Sequence, residues 1–183
     1  MTATKKSILT AVCIALCVVL PMAFHAIPQG GSIYCPMHIP VLLCGLLCGW
    51  PFGLLCGLAG PALSSALTGM PPVGYLPSMM VELAVYGAAS GLMMKLVKTG
   101  KLYPDLYVSL IAAMLCGRIV GGLANAAIFS RGDYSMAAWA TGYFVTGLPG
   151  IVIQLALIPS IVFALEKANL VPVRYPVPLD AEV

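Results

Sequence analysis

Glu82, Arg118, Asn125 and Gln154 stand inside long apolar runs, and they are almost the only strongly polar side chains that do. An ionisable group at membrane depth costs roughly 3 kcal/mol at a helix centre on insertion scales. Such groups therefore face a protein interior or a watery cavity and serve a function there. Arg118 supplies a fixed positive charge and up to five donors, Glu82 a carboxylate, Asn125 and Gln154 neutral amides. Side chains of these types suit hydrogen-bonded capture of a small polar molecule carrying groups of both polarities.

Helical spacing adds neighbours to each. Tyr86 lies four residues beyond Glu82 and shares its face. Asn125 lies seven beyond Arg118, again on one face. Tyr143 precedes Gln154 on the last apolar run, and His38 opens the second. The candidate ligand-binding set is therefore His38, Glu82, Tyr86, Arg118, Asn125, Tyr143 and Gln154. A structural alternative stands beside it. Glu82 and Arg118 would then neutralise each other as a buried pair that locks two helices, Asn125 would bridge helices, and His38 would only tie down the preceding loop.

The elements that must carry these residues follow from composition. Hydrophobic residues make up 61% of the 183-residue chain and charged residues 8%, against about 25% in a soluble domain. Mean hydropathy is +1.01. This is the composition of an all-α integral membrane protein with a single transmembrane domain, 1–183. The helices are expected at about 7–24, 38–50, 52–67, 77–97, 106–129 and 136–166, as a compact bundle of six, followed by a polar tail at 171–183. The second break is expected at Trp50-Pro51, because proline lacks an N–H and disfavours helix at the residue before it. The first run is expected to be retained rather than cleaved, since His25-Ala26-Ile27-Pro28 makes a poor cleavage site.

Basic residues set an orientation. With the N-terminus cytoplasmic, Lys5, Lys6, Lys95, Lys98, Lys101, Lys167 and Arg174 fall inside and only Arg131 outside, with Arg118 within the membrane. Both termini are thus expected in the cytoplasm. The Gly/Pro loops at 25–37 and 68–76 are expected outside, over the half of the bundle that holds the polar residues.

Other chemistries lack their residues. There is no G-x-x-x-x-G-K-[ST], no H-E-x-x-H and no G-x-S-x-G, and no paired catalytic carboxylates, so no enzyme is expected. Six of the seven cysteines sit in apolar runs, where a free cysteine packs as a small hydrophobe. Cys35-Pro-Met-His38 would be half a metal site, and a second pair is missing. No metal, cofactor or nucleic-acid partner is expected. Small-xxx-small pairs recur at Gly45/Gly49, Gly53/Gly57, Gly87/Gly91 and Gly117/Gly121, where they let helices approach closely. Ala11 and Ala15 form another such pair, on a first helix that otherwise carries Leu and Val, so this helix is expected to dock on another protein.

Five stretches in order resemble a known family. They are Ala11 and Ala15; Pro36-Met37-His38-Ile39-Pro40-Val41-Leu42-Leu43; Leu67-Thr68-Gly69-Met70-Pro71-Pro72; Glu82-Leu83-Ala84-Val85-Tyr86-Gly87; and Gly117-Arg118-Ile119-Val120-Gly121. Over roughly residues 7–167 the chain resembles the substrate-binding (S) component of energy-coupling factor (ECF) vitamin transporters, most of all the pantothenate, vitamin B6 or hydroxymethylpyrimidine subgroup. The resemblance implies a multi-pass protein of the bacterial plasma membrane. It would bind one vitamin from outside and dock, through Ala11 and Ala15, on a transmembrane coupling protein with two cytoplasmic ATPases. It also implies that no nickel or cobalt is taken, since Met1-Thr2-Ala3-Thr4 lacks the histidine of the metal-specific members. The alternatives are a ligand-free membrane scaffold, or an S component for a folate- or queuosine-type substrate.

Overall fold

The computed structural model describes residues 1–24, 27–126 and 135–175, and these residues form helices and no strand. In chain order they are α1 (Ala3–Ala23), α2 (Gly30–Tyr34), α3 (His38–Cys48), α4 (Trp50–Thr68), α5 (Leu76–Leu96), α6 (Leu102–Ala124), α7 (Met136–Ala140), a π-helical turn (Thr141–Thr146) and α8 (Leu148–Lys167). Six spans are long and apolar enough to cross a membrane, the second being α2 and α3 taken together as Gly30–Cys48. Within each helix the backbone groups pair along the ladder, as a hydrocarbon surrounding demands.

Helix ends follow local chemistry. Thr2 caps α1, its hydroxyl accepting from the Lys5 N–H at 3.4 Å, and Ser135 caps α7 by accepting from Ala138 N–H at 3.1 Å. The break between α3 and α4 falls at Gly49, whose φ of +96° is open to glycine and strained for other residues. Pro51 lies inside the first turn of α4 rather than at the break. Proline belongs there, because the first turn has no use for its missing donor. The loop expected at 25–37 contains α2. The fifth helix begins at Leu102, earlier than the expected 106, because Pro104 is likewise tolerated in a first turn. That helix ends at Ala124, and the remainder of its expected range, beyond 126, lies outside the described residues.

The sixth helix differs most. A single helix at about 136–166 was expected, and the chain instead forms α7, the π-helical turn and then α8. Gly147 and Pro149 explain the restart. Pro149 has no N–H to continue a ladder from upstream, and it occupies the first turn of α8.

Close packing joins α3, α4 and α5. A Cβ on Gly53 would run into the backbone of Gly87, one on Gly57 into Leu83, and one on Gly45 into Ser90 and Gly87. Bare glycine backbones therefore form the contact surface, as in small-residue packing of membrane helices. Leu42, Leu83, Tyr86, Leu106, Leu110 and Ile158 are fully enclosed in the core. By contrast α1 is peripheral: 17% of its most apolar window is buried, against 61% for Gly30–Cys48. Its inner side presents Thr10, Cys13 and Cys17, while Ala11, Ala15, Ile8, Val12 and Val19 face outward.

Cys13, Cys17, Cys44, Cys48 and Cys56 are buried and free, whereas Cys116 is free and exposed on the bundle surface. At the end where α5 stops and α6 starts, a clasp closes the chain. Asp105 is fully buried and accepts from Thr99 N–H at 2.8 Å and from Thr99 Oγ1 at 2.7 Å. The tail reaches the same carboxylate through Arg174 Nε at 2.7 Å and Tyr175 Oη at 2.6 Å. Arg174 also donates to the carbonyls of Met94 and Val97 at 2.7 and 2.6 Å, satisfying the open end of α5. A cavity of about 220 Å³ lies at this end, among Leu46, Met94, Leu106, Val162 and Arg174. The tail up to Tyr175 is thus bound to the bundle rather than merely polar.

Candidate functional site

The opposite end of the bundle gathers the polar residues. Glu82 and Tyr86 occupy one face of α5, early in the helix, and Ser78 lies one turn before Glu82 on that face. Arg118 lies in the last two turns of α6 and Asn125 caps its C-terminus. His38 is the first residue of α3, Tyr143 sits in the π-helical turn, and Gln154 lies in the second turn of α8. π-Helical turns occur often at functional positions.

Glycine makes the room. A Cβ on Gly117 would stand 2.6 Å from the Tyr86 ring, and one on Gly121 would stand 3.1 Å from Glu82 Cγ and 3.2 Å from the Tyr143 hydroxyl. The small-residue pair on α6 thus seats the two α5 side chains against its backbone. Gly122 does the same for the indole of Trp139.

Glu82 is engaged at both oxygens. His38 Nε2 lies 3.4 Å from Oε1, and the Tyr143 hydroxyl donates to Oε2 at 3.2 Å. Asn125 Nδ2 donates to that hydroxyl at 3.1 Å. Arg118 Nε donates instead to the Tyr143 backbone carbonyl at 3.0 Å. Glu82 and Arg118 therefore form no direct ion pair, contrary to the structural alternative. Among the described residues the basic side chains within 4.0 Å of a carboxylate are His38 at Glu82, 3.4 Å, and Arg174 at Asp105, 2.7 Å. Tyr143 connects the two charged side chains and keeps them separate.

Aromatic rings hold the guanidinium. Its central carbon lies 5.9 Å from the Tyr86 ring centre and 5.6 Å from that of Phe144, within cation–π range. Trp139 Nε1 donates to the Arg118 carbonyl at 3.1 Å, and its ring meets Phe144 edge-on at 5.3 Å. The His38 ring meets Tyr86 edge-on at 4.9 Å. Gln154 Nε2 donates to the Cys35 carbonyl at 3.5 Å, tying the segment after α2 to α8. Gly150, one turn earlier, allows that approach, since a Cβ there would lie 2.9 Å from the carbonyls of Ile33 and Tyr34.

All seven candidates thus come to one end of the bundle, six of them buried and Tyr143 half-buried. Trp139, Phe144 and Ser78 join them and were not singled out by sequence. Trp139 lies four residues before Tyr143 and Phe144 directly after it, and that aromatic cluster was the available signal. Cys35 Sγ donates to the Ser32 carbonyl at 3.3 Å, and among the described residues no group of three or more His, Cys, Asp or Glu is arranged to hold a metal.

The polar end is incompletely paired. Among the described residues, the buried atoms His38 Nδ1, Tyr86 Oη, Gln154 Oε1 and Ser78 Oγ have no hydrogen-bond partner. Each such group carries a penalty of about 1–3 kcal/mol while unmatched. Chemically, such atoms can each give or take one further hydrogen bond.

Comparison with known families gives a match. The model of the family described as "ECF transporter, substrate-specific component" matches residues 5–162. No curated protein and no solved structure matches the chain.

Proposed function

Because the chain belongs to the ECF transporter substrate-specific component family, a family of multi-pass plasma-membrane proteins, we propose that it captures a small water-soluble vitamin or precursor for ATP-driven uptake. Substrate-specific components are binding subunits and not enzymes, and they work with a coupling protein and ATPases. A pantothenate- or vitamin B6-like compound is the favoured ligand. His38, Glu82, Tyr86, Arg118, Asn125, Tyr143 and Gln154 are its proposed contacts, at the extracellular end of the bundle.

One observation carries this reading. Four buried polar atoms without partners, three of them on candidate residues, lie at the same end of the bundle as Glu82 and Arg118, which both contact Tyr143. A ligand-free scaffold has no use for such groups, since apolar side chains of similar volume would be at least as stable there. Docking is proposed through α1, whose Ala11 and Ala15 lie on its outward side, where small residues permit close helix approach.

The direct test is to purify the chain without its partners and identify copurified small molecules by mass spectrometry, then measure their affinity by titration calorimetry. A bound vitamin or precursor with submicromolar affinity is the expected result. A folded protein that carries no small molecule and binds none from a vitamin panel would favour the scaffold.

A further inference from the structure

Unmatched donors and acceptors in the polar cluster narrow the ligand. Resting on the reading of the chain as a vitamin-binding subunit, we propose that the ligand is a monocarboxylate whose carboxylate is held by Arg118 and which also carries hydroxyl or amide N–H groups.

Arg118 is 3% exposed, yet its charge has no carboxylate partner among the described residues. Its Nε is spent on the Tyr143 carbonyl, and that is the one hydrogen bond its guanidinium makes to a described residue. The rings of Tyr86 and Phe144 and the Nε bond fix the guanidinium in place. What is left open is a fork of parallel N–H groups, which matches a carboxylate bidentately. Buried donors that find no acceptor are unfavourable, and a bound carboxylate supplies two acceptors to the fork. Glu82 lies in the same cluster, one Tyr143 away, so a single added negative charge is repelled less than a phosphate ester dianion would be, which favours a monocarboxylate.

Glu82 does not offer the reverse. Both of its oxygens already accept a donor, from His38 and from Tyr143, so a ligand ammonium would have to displace one of them. The remaining open atoms ask for ligand donors. With its Nε2 proton directed at Glu82, His38 leaves Nδ1 as a bare acceptor. Gln154 gives its amide N–H to Cys35 and leaves Oε1 as an acceptor. Tyr86 Oη is able to donate or accept. A neutral ring alcohol would satisfy these atoms and leave Arg118 unmatched. A hydroxylated or amidated carboxylic acid satisfies all of them.

The experiment compares a charged ligand with its neutral counterpart on the same protein. Pantothenate, its alcohol analogue panthenol, and pyridoxine are titrated into the purified wild-type chain by calorimetry, and the copurified compound is identified by mass spectrometry. The expected result is that pantothenate, or whichever carboxylate copurifies, binds at least tenfold more tightly than its neutral analogue. In Arg118→Met that preference should vanish, and Phe144→Leu, which leaves the charge in place, should reduce it. Should Arg118→Met not fold, the wild-type and Phe144→Leu comparison decides alone. A neutral vitamin that copurifies, or that binds as tightly as its acid counterpart, overturns the carboxylate assignment and leaves the vitamin-binding reading standing. Failure of every compound to bind, with nothing copurified, overturns both.

Discussion

Tyr143 reaches Glu82 with its hydroxyl and Arg118 with its backbone carbonyl, so the two charged residues of the candidate set share one neighbour. Tyr143→Phe removes the hydroxyl from between Glu82 and Asn125 and leaves the carbonyl contact to Arg118 intact. Loss of such a bond is worth about 0.5–1.5 kcal/mol, more when one partner is charged. Ligand affinity measured by calorimetry should accordingly fall several-fold, while the thermal melt moves by a few degrees at most. A variant that binds as the wild type does would remove Tyr143 from the set of contacts. The seven candidates were legible because each is polar within an apolar run, a rarity that marks function in membranes. Their pairing was not. Glu82 meets His38, 44 positions away, because α3 and α5 pack through Gly45 and Gly87. No sequence spacing states which helices are neighbours. Phe144 escaped notice because an aromatic residue in an apolar run looks like core until its ring is found over a guanidinium.

Helices position these residues through glycine. Gly53 packs directly on Gly87, so Gly53→Ala forces α4 and α5 apart or displaces one along the other. Overpacking of this kind costs about 1–3 kcal/mol. A clear drop in the thermal melt is the expected outcome, and an unchanged melt would mean that the helices separate freely at that contact. The first helix should behave differently. Ala11→Leu or Ala15→Leu adds bulk on its outward side, so the isolated protein should keep its melt and its ligand affinity. Assembly with the coupling protein, followed by copurification, should fall sharply. Loss of ligand binding with assembly intact would make α1 part of the binding unit instead. Most of the apolar spans were legible from hydropathy and from the ~20 residues that a bilayer requires. The break of the last span into α7, a π-helical turn and α8 was not. Hydropathy is continuous across it, and only Gly147 and Pro149 mark the restart. The tail after α8 was read as polar from composition, whereas Asp105 binds both Arg174 and Tyr175. A buried carboxylate in one segment and an arginine 69 positions later give no sequence signal of their contact.

At the scale of the molecule, the bundle is polar within at one end and clasped by its own tail at the other. Lys95, Lys98, Lys101 and Lys167 are exposed at or beyond the helix termini of the clasped end. On the positive-inside bias we propose that this end is cytoplasmic, which would turn the polar cluster outward; Arg131 lies outside the described residues. Reporter fusions at Ser130 and after Val183 should therefore report opposite sides of the membrane, and two reporters on one side would overturn this topology. Capture of a vitamin by the polar cluster is the claim on which the rest depends, and Arg118 tests it most directly. Affinity of the copurified ligand is to be measured by titration calorimetry on wild type, Arg118→Met and Glu82→Gln, with a thermal melt beside each. Expected for both variants is a tenfold or greater loss of affinity, about 1.4 kcal/mol or more, in a protein that still unfolds cooperatively. Undiminished affinity in a folded Arg118→Met protein would contradict the account.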